Sequence, residues 1–328
     1  MKDIELPRKV LVGDGAIEKV VEVVFLLGFS GDSAVICDAG TRKVAGEKVA
    51  EQLGSVIIES SKPDEILSKP PLVNYLLGVG GGSVIDATKI VSKELGVPFL
   101  SIPTVASHDG IVSPQASIKK DKPVSVKTRC PIAVVADTSI IAKAPKRFLS
   151  SGCADVISNF TSVLDWKLAA NEKGEYYGDY AATLSALSAE IIMHNADKAL
   201  QDVSMVVEAL ISSGVAIGIA GSSRPCSGSE HLFSHALDMI CEKPALHGEQ
   251  CGVGTILMAY LHNADWQRVR DALATVKAPT NARELGIPEE KIIEALTIAH
   301  TLRDRYTILR DGLTPSRAKE LAKITGVI

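Results

Sequence analysis

The sequence is short of cysteine and histidine, and it has no long run of positive charge and no long apolar segment. Six cysteines (Cys37, Cys130, Cys153, Cys226, Cys241 and Cys251) are spread along 328 residues without a C-x-x-C pair. That pattern excludes a disulfide framework and a zinc finger, and it suits reduced thiols in a cytoplasmic protein. The formal net charge is −4, so the electrostatic footprint of a nucleic-acid partner is missing. The opening "MKDIELPRKVLVGDGAIEKV" scatters its charges and lacks the apolar stretch of a signal peptide. The most apolar later run, "ALISSGVAIGIAGSS", is too short and too rich in Gly and Ser for membrane insertion and reads as a buried helix. No internal repeat is present; "HNAD" at His194 and His262 is an isolated match.

What is present is the balance of a soluble globular protein, 46% hydrophobic and 23% charged, in a length that suits two domains. Residues 1–147 alternate apolar runs with amphipathic stretches: "KVLVG", "AIEKVVEVVFLLG", "SAVICD", "RKVAGEKVAEQLG", "SVIIES", "NYLLGVG", "SVIDATKIVSKELG", "PFLSIPT" and "PIAVVAD". This grammar predicts an α/β Rossmann-like domain with a mainly parallel sheet, which binds ligands at the carboxyl ends of its strands. Residues 148–328 are of helical period and predict an all-α domain, with "AKAPKRFLSSG" as the hinge.

Three segments of the first half carry binding chemistry. In "LLGVGGGSVIDATK" a strand gives way to a helix; Gly80, Gly81 and Gly82 can adopt positive φ, and Ser83 can cap the helix whose N-terminus faces a phosphate. Asp38 ends a strand and suits either an adenosine ribose or a helix cap. The polar "IPTVASHDGIVSP" reads as a binding loop, with Thr104, Ser107 and Ser113 toward a cofactor. Within it, Asp109 suits a substrate hydroxyl, or Asp109-Gly110 is simply a turn.

Only seven histidines occur, and three of them gather late in the chain. His231 and His235, at i and i+4, share a helix face; His247 follows in a separate segment, with Cys251 near it as a weaker ligand candidate. Asp155 would complete a three-ligand set and leave an open, catalytic position on a zinc-like ion. Spacing does not decide which two histidines bind, and core histidines satisfied by their neighbours are the plain alternative.

"GGGSVIDATK" resembles the G-G-G-S-x-x-D-x-A-K signature of the superfamily of iron-containing alcohol dehydrogenases, glycerol dehydrogenases and dehydroquinate synthases, departing only at Thr88. "IPTVASHDGIVSPQASI", "SSGCADVISNFTSVLDW", "GSSRPCSGSEHLFSHALD" and "HGEQCGVGT" most resemble its archaeal sn-glycerol-1-phosphate dehydrogenase branch. The resemblance implies an active site in the cleft between the two domains, with zinc held by Asp155, His231 and His247. It implies NAD(H) or NADP(H) contacts from Gly82, Ser83, Val84, Ile85 and Asp86, from Thr104, Val105, Ala106 and Ser107, and from Ser113. Asp109, Asp155 and His235 fall on substrate positions. The implied reaction is reduction of dihydroxyacetone phosphate to sn-glycerol 1-phosphate, for the backbone of archaeal membrane lipids, with His235 and Asp109 as proton-relay candidates. Arg224, Ser227 and Ser229 are expected at the phosphate, with Arg303 and Arg305 as the distal alternative. Asp38 would favour NADH, and Arg42 and Lys43 would offset that preference. A homo-oligomer is expected. Competing readings are a glycerol dehydrogenase, a dehydroquinate synthase-like lyase, and a nucleotide-binding regulatory protein without catalysis.

Overall fold

In the computed structural model, which describes residues 4–119 and 123–328, the β-branched runs become strands. In chain order they are β1 (Lys9–Gly13), β2 (Ser33–Cys37), β3 (Val56–Glu59), β4 (Tyr75–Gly80), β5 (Phe99–Pro103), β6 (Gln115–Lys119), β7 (Pro123–Lys127) and β8 (Ala133–Asp137). Six of them form one sheet in the order β1-β8-β5-β4-β2-β3, every neighbouring pair parallel. Along β2, β4, β5 and β8 every residue is buried. Ala34, Leu76 and Phe99 pack on one face, and Val35, Leu77 and Leu100 on the other. A parallel sheet covered by helices on both faces requires this continuous apolarity.

From β2 the chain moves out to the edge at β3; from β4 it moves the opposite way, through β5 and β8. The reversal falls between β2 and β4, so Asp38 and Gly80–Gly82 flank the crevice where such sheets take ligands. The antiparallel hairpin of β6 and β7 stands outside this sheet and was not legible in "QASIKKDKPVSVK". Lys89, fully buried, helps fix it: its ammonium donates to the Gln115 carbonyl at 2.6 Å and pairs with Asp86 at 3.0 Å, while Asp86 accepts from the Ser117 N–H at 2.9 Å.

From Lys146 onward every regular element among the described residues is helical. The segment expected to be a hinge is mostly helix: Pro145 stands at the cap and Lys146–Lys173 runs on as a single 28-residue helix. The apolar run judged too short for a membrane belongs to the 18-residue helix Val203–Ala220, which by length and a hydropathy of 1.9 would suit a span. Here it is 56% buried inside the protein, packed against the Lys146–Lys173 and Asp179–His194 helices.

One apolar cluster joins the two halves, with Ile85, Ile111, Val112 and Val134 from the first and Ile157, Leu210, Phe233 and Leu257 from the second. Close helix approach positions the site. A Cβ at Gly152 would strike the Ala106 carbonyl, and one at Gly248 would strike the Ser151 carbonyl. Those two glycines let the Lys146–Lys173 helix press on the loop after β5, and the His247–Leu261 helix press on the Lys146–Lys173 helix in turn.

Candidate active site

At the carboxyl end of β4 the backbone departs from expectation in two ways. None of Gly80, Gly81 and Gly82 has positive φ, and the helix Gly82–Leu95 is capped by Gly81, with no side-chain cap from Ser83, which is exposed in the first turn. The glycines are needed for space instead. A Cβ on Gly80 would lie 2.7 Å from that of Val84, and one on Gly82 would collide with the His108 ring. Val84 and Ile85 are fully buried and their N–H groups bond the Gly81 carbonyl. Of the first turn, the N–H groups of Gly82 and Ser83 therefore remain for an anion. The Asp86 carboxylate is already held by Lys89 and Ser117.

The loop after β5 lies across this turn. Its Thr104 N–H bonds the Gly80 carbonyl at 3.1 Å, and Val105 packs over Gly81. Thr104, Ala106 and Ser113 are buried, while the Ser107 carbonyl accepts from Ser151 Oγ at 3.2 Å. At the neighbouring strand end, Asp38 caps the short helix Ala39–Thr41, accepting from the Thr41 N–H at 2.8 Å. Arg42 is not free to offset its charge, being paired with Glu47 at 3.0 Å and Glu59 at 3.1 Å. His108, which the sequence did not single out, accepts the Gly110 N–H at Nδ1 (2.9 Å). That bond leaves its proton on Nε2, the atom against Gly82.

Asp155, His231 and His247 do converge, and Cys251 joins them; one donor atom from each lies within 4.8 Å of all the others. Asp155 uses Oδ2 to accept the Asp109 N–H at 2.9 Å, while its Oδ1 is buried without a hydrogen-bond partner, 3.7 Å from His247 Nε2. His231 gives Nδ1 to the Glu230 carboxylate at 2.8 Å, and His247 Nδ1 meets Ser234 Oγ at 3.3 Å. Each ring therefore has Nε2 for the cluster, that of His247 lying 3.6 Å from Cys251 Sγ. Two imidazole nitrogens and a lone carboxylate oxygen at such spacing suit a tetrahedral ion, whose ligand atoms stand about 3.4 Å apart at bond lengths near 2.1 Å. The residues fit a metal.

The three residues differ in their electrostatics. Burial, then the nearby Asp109 charge, raises the Asp155 pKa, and burial raises that of Asp109. Burial, with His231 and His235 nearby, drives His247 well below the ordinary imidazole range, which keeps it neutral as a ligand must be. For His231 burial pulls down, and the hydrogen bond and charge of Glu230 push up by more. Glu230, fully buried, also accepts from Thr161 Oγ1 (2.9 Å), Ser162 Oγ (2.7 Å) and the Gly228 N–H (2.6 Å). A carboxylate behind a ligating imidazole is a recurring support of metal sites. Neighbours on a helix do not ordinarily face each other, so "SEH" did not announce it. Burial raises the pKa of the Cys251 thiol well above its usual range.

His235 stands apart from the cluster, its ring centroid 6.0 Å from that of His247. Arg303 lies 2.9 Å from its Nε2. Arginine can only donate, so that nitrogen accepts and the proton sits on Nδ1. The arginine expected at a phosphate is otherwise engaged: Arg224 is bound by the Glu175 carboxylate and the Tyr306 carbonyl, the latter at 2.8 Å. Ser229 donates both its N–H and its hydroxyl to buried Asp165, and Ser227 gives its carbonyl to Arg305. Arg224 and Ser229 are thus engaged within the fold through their side chains, and Ser227 through its carbonyl.

A glycine-walled crevice at the switch of a parallel sheet, facing a metal-ligand cluster on helices, is the architecture of the iron-containing alcohol dehydrogenase class. Residues 11–145 match the family model for iron-containing alcohol dehydrogenase. The solved glycerol dehydrogenase of Schizosaccharomyces pombe shares the fold at a TM-score of 0.83 and 21% identity, over 99% of this chain and 90% of that one. Over its whole length the chain is 51% identical to the NAD(P)+ glycerol-1-phosphate dehydrogenase of Methanosarcina acetivorans, covering 97% of it. It is likewise 51% identical to that of Pyrococcus furiosus, covering 100% of both. The chain belongs to the glycerol-1-phosphate dehydrogenase family.

Proposed function

We propose that the protein reduces dihydroxyacetone phosphate to sn-glycerol 1-phosphate with NADH or NADPH, using one zinc ion per subunit. The observation that carries this reading is the convergence of Asp155 Oδ1, His231 and His247 on one point beside the loop after β5, in a chain matching that family from end to end. Zinc there supplies Lewis-acid polarisation of the ketone, and the reduced nicotinamide supplies the hydride.

The chain's own residues bind, orient and hold protons. Residues 1–147 carry the cofactor, with the Gly82 and Ser83 N–H groups at its pyrophosphate and Thr104–Ser107 and Ser113 along it; residues 148–328 carry metal and substrate. Asp155 holds its Oδ1 toward the ion because the Asp109 N–H restrains its other oxygen. Asp109, half-buried and with its pKa raised by burial, is one candidate source of the proton for the product hydroxyl. His235 accepts through Nε2 and orients a substrate hydroxyl. The product serves lipid-backbone synthesis in the cytoplasm, and the protein works as a homo-oligomer without membrane insertion or a nucleic-acid partner.

An NADH-consumption assay with dihydroxyacetone phosphate, followed by chiral analysis of the product, tests this. The sn-1 phosphate alone is expected. NADH consumption confined to unphosphorylated dihydroxyacetone would replace the reading with glycerol dehydrogenase.

A further inference from the structure

We infer that Arg147 and Glu249 position the metal site, by fixing His247 relative to Asp155. This rests on the reading of Asp155 and His247 as ligands. The two stand on different helices, Asp155 within Lys146–Lys173 and His247 at the first position of His247–Leu261. Asp155 Oδ1 and His247 Nε2 approach only to 3.7 Å, and that oxygen has no hydrogen-bond partner. The ligands do not hold each other, so another contact must set the gap between them.

The spacing of the residues shows how it is set. Arg147, Ser151 and Asp155 recur every four positions and lie along one face of the longer helix, about 6 Å apart from turn to turn. Three consecutive residues of the other helix meet them in reverse order. His247 faces Asp155, a Cβ on Gly248 would strike the Ser151 carbonyl, and Glu249 takes Arg147. The middle contact is close packing that only glycine allows; it limits approach but does not stop the helices from sliding or parting. The outer contact does. Arg147 Nε and Nη2 donate to the two oxygens of Glu249 at 2.6 and 2.7 Å, and a forked pair of this kind fixes distance and orientation together. Among the described residues these are the only hydrogen bonds between the first turn of the His247–Leu261 helix and the Lys146–Lys173 helix.

Burial makes the carboxylate depend on its partner. The Glu249 side chain is 3% exposed and that of Arg147 62%, so the guanidinium closes the site of a charge withdrawn from water. Glu249 also accepts the Leu246 N–H at 3.0 Å, which ties the residue before the ligand to the same side chain. A shift of Glu249 therefore carries His247 with it. The same face of the longer helix anchors the loop after β5, Ser151 Oγ donating to the Ser107 carbonyl at 3.2 Å and Asp155 accepting the Asp109 N–H at 2.9 Å. One helix face is thus the common reference for both ligands and for the cofactor loop. Arg147 has no lone pair to give an ion, so its removal tests geometry without removing a donor.

The test measures zinc affinity by chelator competition for the wild type, Arg147→Ala, Arg147→Lys and Glu249→Gln, with thermal melting of each protein with and without zinc. Arg147→Ala should bind zinc about tenfold more weakly, the lower end of the loss for a support behind a ligand. Arg147→Lys, which keeps the charge without the fork, should recover part of it. Arg147→Ala combined with Glu249→Gln should lose no more than the larger single loss, as two halves of one interaction do. A pair that served folding alone would lower the melting temperature equally with and without zinc, whereas positioning predicts that the rise brought by zinc becomes smaller. If Arg147→Ala does not fold, Arg147→Lys and Glu249→Gln carry the same comparison. A folded variant of either residue with zinc affinity within about twofold of wild type, and an unchanged zinc-induced rise, overturns the brace while leaving the ligand set intact. Zinc uptake that survives His247→Ala overturns the ligand reading, and the brace with it.

Discussion

The two walls of the crevice are built by opposite means. At the carboxyl ends of β4 and β5 the chain makes room by leaving side chains out, and Gly80 and Gly82 stand where any Cβ would meet Val84 or His108. In the helices the site is crowded with buried polar side chains that brace one another, Glu230 alone taking four hydrogen bonds. The first wall should therefore fail when an atom is added, the second when a partner is taken away.

The largest effect is expected from removing a ligand. His231→Ala should lose bound zinc and fall to background turnover, whereas His235→Ala should keep its zinc and lose turnover by ~100-fold, the loss expected when a group that orients the substrate is removed. Metal analysis of both purified variants decides; equal zinc loss would contradict the division of labour. Adding a methyl to the other wall comes next. Gly82→Ala should weaken NADH binding at least roughly tenfold by displacing His108, and Gly82→Ala combined with His108→Ala should recover part of it, the non-additivity expected of touching residues. Fluorescence titration would read this out, and strictly additive losses would argue against the clash.

A smaller effect is expected one shell out. Glu230→Gln should reduce zinc affinity about 10- to 100-fold, as loss of a carboxylate behind a ligating histidine does, measured by competition with a chelator. An affinity equal to wild type would mean that Glu230 serves packing alone. The smallest change belongs to Cys251. Because Asp155, His231 and His247 already make up the three protein ligands of an open catalytic site, Cys251→Ser should leave cobalt-substituted protein with an unchanged visible spectrum, and a sulfur-to-cobalt band lost in that variant would make Cys251 a ligand.

These contrasts also explain what was legible in the sequence. Short β-branched apolar runs bounded by turn residues suit strands buried on both faces, so the sheet was readable from "SAVIC" through "AVVAD". The i, i+4 histidines and the glycine run likewise announced themselves by spacing. Ser83 did not cap its helix because Gly81 already occupies the cap, a choice set by how β4 meets the loop after β5. Arg224 lies beside the right helix, but a long side chain goes where its partner is, and Glu175 and the Tyr306 carbonyl are 49 and 82 residues away in sequence. Glu230 and His108 were invisible for the same reason: their roles depend on Thr161, Ser162 and Gly82, which only the packed fold brings to them.

The most direct measurement is an anomalous-scattering map at the zinc edge from crystals of the wild-type protein. The account predicts a single strong peak bonded by Asp155 Oδ1, His231 Nε2 and His247 Nε2, with His235 turned away from it. A peak ligated by His235 in place of His231, or one lying outside this cluster, would contradict it.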